Sequence, residues 1–311
     1  MRVVITGGSG LIGSALAREL GGAGHDAVVL SRNLSRVGAL PPGVRAAEWD
    51  GRSGQGWSKL LDAGTAIVHL AGESIASGRW TAEKKRRIRD SRVQSGKAVL
   101  EAVRQAASSS AGAPAVLLQG SAVGYYGPCG DEVVTEDHPS GNDFLADVCR
   151  EWEASTTEVE ALGVRRALLR TGIVLSLKDG ALPRMMLPFR LGAGAPLGSG
   201  RQWFPWIHMA DEVAAIRFLL ERREASGPFN LSAPNPVTNR QLGDVLSRVV
   251  RRPNPLQALG LGVPRAVFQV ALGEMAGMLL QGQRAVPRRL LDLGFPFRYP
   301  ELEPALRNLV D

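Results

Sequence analysis

Cysteine is scarce in this chain of 311 residues: Cys129 and Cys149 are the only two. Two cysteines make no disulfide framework, so a reducing compartment is expected. Long apolar runs are missing too. No stretch approaches the roughly 18 uninterrupted apolar residues of a membrane span, so no membrane association is expected. Histidine is limited to His25, His69, His138 and His208. They are scattered and build neither an H-E-x-x-H nor a Cys-x-x-Cys pattern, so no metal site is expected. Met1-Arg2 leads straight into a strand-like run, which argues against a signal peptide and for the cytoplasm. Hydrophobic residues at 44% and charged residues at 22% exclude disorder, collagen and coiled coil as descriptions of the whole chain.

The net charge of +7 invites a nucleic-acid reading, but its distribution opposes one. Residues 79–92 (RWTAEKKRRIRDSR) hold seven basic and two acidic residues, a net +5. The charge is one local cluster without a recognition motif, so no nucleic-acid partner is expected. A solvated helix face is expected for most of Lys84, Lys85 and Arg86.

Short apolar runs at 1–6, 26–31, 44–49, 65–70, 115–120 and 166–171 alternate with helical patterns at 11–23, 82–106 and 143–162. That alternation indicates βαβ units and a parallel sheet covered on both faces. The expected fold is α/β: a Rossmann-type doubly wound parallel sheet over 1–178 and a smaller C-terminal substrate lobe over 179–311. Some later segments are allowed to return to the sheet. Helices are expected at 210–223, 238–251, 263–280, 285–293 and 301–310, with an extended piece at 228–232.

Residues 6–13 read TGGSGLIG. Gly7, Gly10 and Gly13 follow a strand and open a helix with Leu11 and Ile12. That context makes a glycine motif credible as a dinucleotide site. Glycines admit the tight turn and let backbone approach a pyrophosphate, and the helix N-terminus offers free N–H groups. An NAD site usually carries Asp or Glu at the end of the second strand. Here the position reads Ser31-Arg32-Asn33. An arginine can grip a 2′-phosphate that a carboxylate would repel, so NADP(H) is the expected cofactor, with Arg36 as a second candidate from the loop. Asp50 is open to two roles, an acceptor from the adenine amino group or a turn residue before Gly51. The fourth strand ends in His69-Leu70-Ala71-Gly72-Glu73, where Leu70 to Glu73 would pack backbone against the cofactor. Arg89 and Arg92 are i,i+3 neighbours and Arg87 lies beside them, so one or two of the three are expected to meet phosphate.

The blocks TGGSGLIG (6–13), LSRN (30–33), HLAGE (69–73), RW and RIRDSR (79–80, 87–92), GSAVGYYG (120–127), LLRTGIVL (168–175), PFRLG (188–192), GSGRQWFPWIHMAD (198–211), GPFNLSAPNPVTN (227–239) and GQRAVPRRLLDLGFPF (282–297) together resemble the extended short-chain dehydrogenase/reductase superfamily. The match is to an atypical subgroup labelled sugar-nucleotide epimerase-like, with its own C-terminal domain over 282–311. The resemblance implies an NADP(H) site with contacts at Ser31, Arg32, Leu70, Ala71, Arg87 and Arg92, and backbone near Ile173 beside the nicotinamide.

It also implies a Tyr-x-x-x-Lys pair, in which lysine lowers the tyrosine pKa so that the phenolate takes a hydroxyl proton. The corresponding stretch here reads Phe144-Leu145-Ala146-Asp147-Val148. Phe exchanges no proton and Val carries no charge. Ser121 with Tyr125 or Tyr126 is the remaining catalytic candidate; packing of the strand–loop junction is the competing role for both tyrosines. Trp203, Trp206 and His208 are candidates for the substrate side, with Phe204, Met185, Met186 and Phe189 as an apolar wall. Two functions stay open. One is an NADP(H)-dependent oxidoreductase or epimerase acting on a small polar molecule such as a nucleotide sugar. The other is a catalytically weak NADPH-binding redox sensor or scaffold. The oligomeric state is left open, a homodimer included.

Overall fold

The structure is a computed structural model. It describes the whole chain except residues 253–255, 257–261, 265–273, 275–276, 278–279 and 311, and the side chain of Arg36. The helix expected at 263–280 therefore falls largely outside the described residues.

Seven strands make one parallel sheet: β1 (Arg2–Thr6), β2 (Asp26–Ser31), β3 (Val44–Glu48), β4 (Thr65–His69), β5 (Val116–Ala122), β7 (Arg165–Thr171) and β11 (Gly227–Leu231). Their order across the sheet is β11-β7-β5-β4-β1-β2-β3. The crossover from β1 toward β2 and β3 on one side and toward β4, β5 and β7 on the other is the doubly wound pattern, with a ligand crevice where the order reverses. The strands are apolar on both faces because both are covered. Val3, Ile5, Val29, Val68 and Leu118 face α1 (Leu11–Gly22) and α5 (Met209–Glu221). Val4, Val28, Ile67 and Leu117 face α2 (Ala82–Ala107).

β11 was expected only as an extended piece, yet it pairs with β7 from Gly227↔Ala167 to Leu231↔Thr171 and becomes the outer strand. The helix expected over 143–162 is α3 (Phe144–Ala154) followed by a 3-10 turn, Thr157–Leu162. It breaks because Thr156 turns its hydroxyl onto Gln119 of β5, whose amide in turn donates to Trp152 O.

The remaining lobe has its own core, with Trp206, Phe204, Met186, Leu242, Leu246 and Leu302 at its centre. It is built from α4 (Leu182–Arg190), α6 (Asn239–Val249) and α8 (Leu302–Val310), with the short pairs β8 (Ile173–Leu175) with β10 (Trp206–His208) and β9 (Trp203–Phe204) with β12 (Val237–Thr238). The helix expected at 285–293 is shorter, α7 (Arg288–Asp292), because Arg284–Ala285 forms β13 beside β6 (Val133–Val134). Among the described residues no helix is long and apolar enough to cross a membrane, and no cluster of His, Cys, Asp or Glu could hold a metal ion.

Candidate functional site

The glycine loop is held by close approach. Gly7 has φ +68, and a Cβ there would lie 2.7 Å from the carbonyl of Leu70. Only glycine lets the β1 and β4 loops touch in this way. Gly10 N–H donates to Gly7 O at 2.9 Å and closes the turn, while a Cβ at Gly13 would run into the Gly7 carbonyl. Gly10 also caps α1 and offers no side chain to its first N–H groups. Leu11 and Ile12 begin that helix, leaving its positive end at the switch point of the sheet.

Thr6 organises the neighbouring strand end. Its Oγ1 accepts from Leu70 N at 3.2 Å and Ala71 N at 3.3 Å, and lies 2.7 Å from His69 Nδ1. The Trp152 indole donates to His69 Nε2 at 3.3 Å. An indole only donates, so Nε2 accepts and the ring proton belongs on Nδ1. Burial pushes the His69 pKa down to about 3; the ring is neutral and structural.

At the end of β2, Ser31 Oγ donates to Asn33 O at 3.0 Å and accepts from Asn33 N at 3.2 Å. That tight turn leaves Arg32 exposed, with its stem crossing 3.5 Å from where a Gly51 Cβ would stand. Asp50 takes the turn role. Its Oδ1 accepts from Arg52 N at 2.7 Å and Ser53 N at 2.9 Å, and its Oδ2 from Ser53 Oγ at 2.9 Å.

The basic cluster is not one solvated face. Lys84 is 4% exposed, a correction to the expectation from charge alone. Its Nζ donates to Glu73 Oε1 and to Ser77 Oγ, both at 2.6 Å, so the lysine fastens the loop after β4. Arg87 is exposed and pairs with Glu73 at 3.3 Å and with Glu83 at 2.6 Å. Arg89 reaches across to Glu151 of α3 at 2.6 Å. Arg92 alone of these three arginines turns inward. Its Nη1 donates to Glu73 O at 3.1 Å and Ile88 O at 2.9 Å, and a Cβ on Gly72 would come 3.1 Å from its Cζ. Sequence spacing put Arg89 and Arg92 on one face; their partners separate them.

Beyond β5 lies a buried polar network. Ser121 Oγ donates to Glu153 Oε1 at 2.6 Å. Arg170 meets the same carboxylate and donates from Nη1 to Tyr126 Oη and to Glu136 O, each at 3.1 Å. Burial opposes the Arg170 charge, but the Glu153 carboxylate more than offsets this, so its pKa is raised. Tyr126 is 1% exposed, donates to Asn230 Oδ1 at 2.6 Å, and burial pushes its hydroxyl pKa up. These contacts tie Ser121 and Tyr126 into the buried network. Tyr125 differs. Arg170 lies 3.5 Å from its ring centroid, and its hydroxyl has no hydrogen-bond partner among the described residues. Phe144 packs edge-on to Trp80 with centroids 5.3 Å apart, and Val148 is buried.

The substrate-side candidates divide. Trp206 and Met186 are fully buried in the lobe core, Phe189 and Phe204 are buried beside them, and Met185 packs against that core partly exposed. His208 caps α5, its Nδ1 accepting from Ala210 N at 3.1 Å. It stacks on Tyr299 at 4.0 Å between centroids, and burial with the Arg298 charge pushes its pKa down to about 4. His208 is thus a helix cap at the lobe junction. Trp203 is partly exposed and donates to Asp131 at 2.9 Å across the lobe boundary. Ile173 begins β8, its N–H bound to Pro205 O at 2.7 Å. Glu153, Arg170 and Asn230 were missed from sequence. No local spacing announces them, because they come from α3, β7 and β11.

The chain matches the NAD dependent epimerase/dehydratase family over residues 3–232. A domain of unknown function, DUF1731, matches over 263–309. An epimerase family protein of Mycobacterium bovis is 40% identical over 305 residues, covering 98% of this chain and 96% of that protein. The epimerase family protein YfhF of Bacillus subtilis is 37% identical over 313 residues, covering 100% and 98%. Among solved structures, human epimerase family protein SDR39U1 (isoform 2) with NADPH is similar at a TM-score of 0.85 and 31% identity, covering 100% of this chain and 99% of that one.

Proposed function

The chain belongs to the NAD-dependent epimerase/dehydratase family, and on that premise we propose that it binds NADP(H) and acts as an oxidoreductase or epimerase on a small polar substrate such as a nucleotide sugar. The observation that carries the cofactor choice is the end of β2. Ser31 and Arg32 stand there with no carboxylate, and the Ser31–Asn33 turn leaves Arg32 exposed. The similar human protein was solved with NADPH. The Gly7 contact with Leu70 is a cradle that a Cβ would fill, so the residues present fit a dinucleotide. The first turn of α1 would hold the pyrophosphate through its N–H groups, Arg32 the 2′-phosphate, and the Leu70–Gly72 backbone the ribose. A bound nicotinamide supplies hydride exchange with a substrate carbon. Tyr125 Oη is the group offered for the accompanying proton, with Arg170 fixing its ring.

Calorimetric titration of NADPH, NADP and NADH into wild type and Arg32→Ala tests the cofactor. The wild type should prefer the phosphorylated forms, and the variant should lose that preference by about tenfold or more, the worth of a charge-assisted contact. Equal binding of NADPH and NADH by the wild type would overturn it.

A second reading, a redox-state sensor with little turnover, draws on one observation. Phe144 and Val148 occupy the usual proton-transfer positions, and Ser121 and Tyr126 are consumed by internal bonds. A panel of carbonyl compounds and sugar nucleotides decides between them. An enzyme consumes NADPH with some member. A sensor binds it tightly, turns over none, and changes partner binding between NADPH and NADP.

A further inference from the structure

Arg284 of β13 is a cation that the fold positions and then leaves without an anion. It is half-buried, yet among the described residues it makes no hydrogen bond and no ion pair. Its guanidinium lies over the Trp203 ring, with Cζ 4.6 Å from the centroid. The guanidinium nitrogens reach solvent.

The chain on both sides of this cation is tied down. Gln283 Nε2 donates to Gly127 O at 2.7 Å, and Val286 N–H donates to Val134 O at 3.0 Å. These bonds fasten β13 to the segment that follows Tyr125 and Tyr126. A Cβ at Gly282 would run into Trp203 O, so the chain enters β13 in backbone contact with Trp203. The indole is oriented in turn by Asp131, whose Oδ1 accepts from it at 2.9 Å. That carboxylate therefore serves the ring and not the arginine.

Strand geometry gives the direction. Successive residues of a strand face opposite ways. Gln283 and Ala285 face the cluster that contains Tyr126, and Arg284 faces away from it, onto Trp203. Its neighbour across the parallel pair is Val133, an apolar side chain that is 47% exposed. Val133, the Trp203 ring and Arg284 thus make one open face, apolar with a single charged group. Small-molecule sites have this composition, mostly apolar with a few placed polar groups. A guanidinium resting on a ring keeps its N–H edge available for an oxyanion, which it can meet with two parallel bonds.

We propose that Arg284 binds an anionic group of the substrate, a carboxylate or a phosphate, with Trp203 behind it and Val133 beside it. The proposal rests on the reading of a small polar substrate and narrows it to an acidic one. It gives the domain matched over residues 263–309 a share in the substrate site, delivered to the segment after β5 by β13.

The test is calorimetric titration of malonate, and separately of inorganic phosphate, into the protein saturated with NADP. Wild type, Arg284→Gln and Arg284→Lys are compared, with NADPH affinity measured on each. The expected result is anion binding by the wild type, weakened about tenfold or more in Arg284→Gln. Arg284→Lys should lose less, since it keeps the charge without the fork. NADPH affinity should stay within about threefold in both variants, as for a residue away from the cofactor. Tighter binding of malonate identifies a carboxylate substrate, and tighter binding of phosphate a phosphorylated one. Absent anion binding, binding unchanged in Arg284→Gln, or a matching loss of NADPH affinity overturns the proposal. The titration needs no turnover, so a substrate panel that consumes no NADPH counts against the enzyme reading alone. If the wild type binds no NADPH, the cofactor reading fails by itself, and the difference between wild type and Arg284→Gln in the cofactor-free protein still decides Arg284.

Discussion

Arg170 and Glu153 meet inside the molecule as a two-pronged ion pair, Nε to Oε1 at 3.0 Å and Nη2 to Oε2 at 3.1 Å. Their side chains are 5% and 11% exposed, so each charge depends on the other. Ser121 and Tyr126 are tied to this pair, which makes it the anchor for the segment after β5.

Removing one charge of a buried pair costs about 3–5 kcal/mol, because the other is stranded. Glu153→Gln should therefore lower the unfolding free energy by about 3 kcal/mol. Replacing Arg170 as well, with Met, should recover part of that loss. Urea unfolding of the single and double variants measures both; a single-variant loss under about 1 kcal/mol would contradict the assignment.

Tyr125 and Tyr126 are neighbours with opposite expectations. Tyr126→Phe loses the bond to Asn230 and the one from Arg170, so it should destabilise by about 1–2 kcal/mol. Tyr125→Phe keeps the ring that Arg170 covers and should leave stability within about 0.5 kcal/mol. On any substrate that is turned over, it should instead slow turnover by about a hundredfold, as for loss of a positioned proton donor. Thermal unfolding alongside NADPH consumption separates the two roles, and undiminished turnover in Tyr125→Phe removes the catalytic one.

Glu212 of α5 is fully buried, with Thr171 Oγ1 donating to its Oε1 at 3.0 Å. Burial pushes its pKa up from 4.5 to about 8. The folded state keeps this proton while the unfolded chain releases it near 4.5. Its contribution to stability is complete below that pH and drains away as pH rises toward 8, at up to about 1.4 kcal/mol per pH unit. Glu212→Gln mimics the protonated acid and cannot ionise. Denaturant midpoints from pH 5 to 8 should fall in wild type and fall less in the variant; parallel curves would sink the assignment.

Gly7 and Gly10 should respond differently to alanine. Gly7 has φ +68 and backbone 2.7 Å from a new Cβ, so Gly7→Ala should cost about 2 kcal/mol and more than tenfold in NADPH affinity. Gly10 has φ −79 and a closest atom at 3.2 Å, so Gly10→Ala should cost less on both counts. Unfolding and calorimetry on the pair provide the comparison.

The sheet was legible because its strands carry apolar residues on both faces between glycine turns. The dinucleotide loop was legible because its chemistry is contiguous. Long-range partnership was not. The Lys84 burial was hidden by a run of charges whose neighbours are exposed. His208 offered a ring with several uses, and only the Ala210 contact selects the cap. Glu153, Arg170 and Asn230 lie on three elements; α3 brings Glu153 to Arg170, and β11 joining β7 brings Asn230, neither of which local periodicity encodes.

The chain's far end also sets a timetable. Glu136 Oε1 receives N–H groups from Asn230 at 3.0 Å and from Arg289 at 3.3 Å, and Gln283 donates to Gly127 O at 2.7 Å. A ribosome adding roughly 5–20 residues per second needs many seconds after making Gly127 to deliver those donors. Until then the segment around Tyr125 waits for its last partners, and the sheet face of Val3, Ile5 and Val68 waits for α5. The residues of the glycine loop are made first, yet the site they belong to is completed only by the last stretch of chain to leave the ribosome.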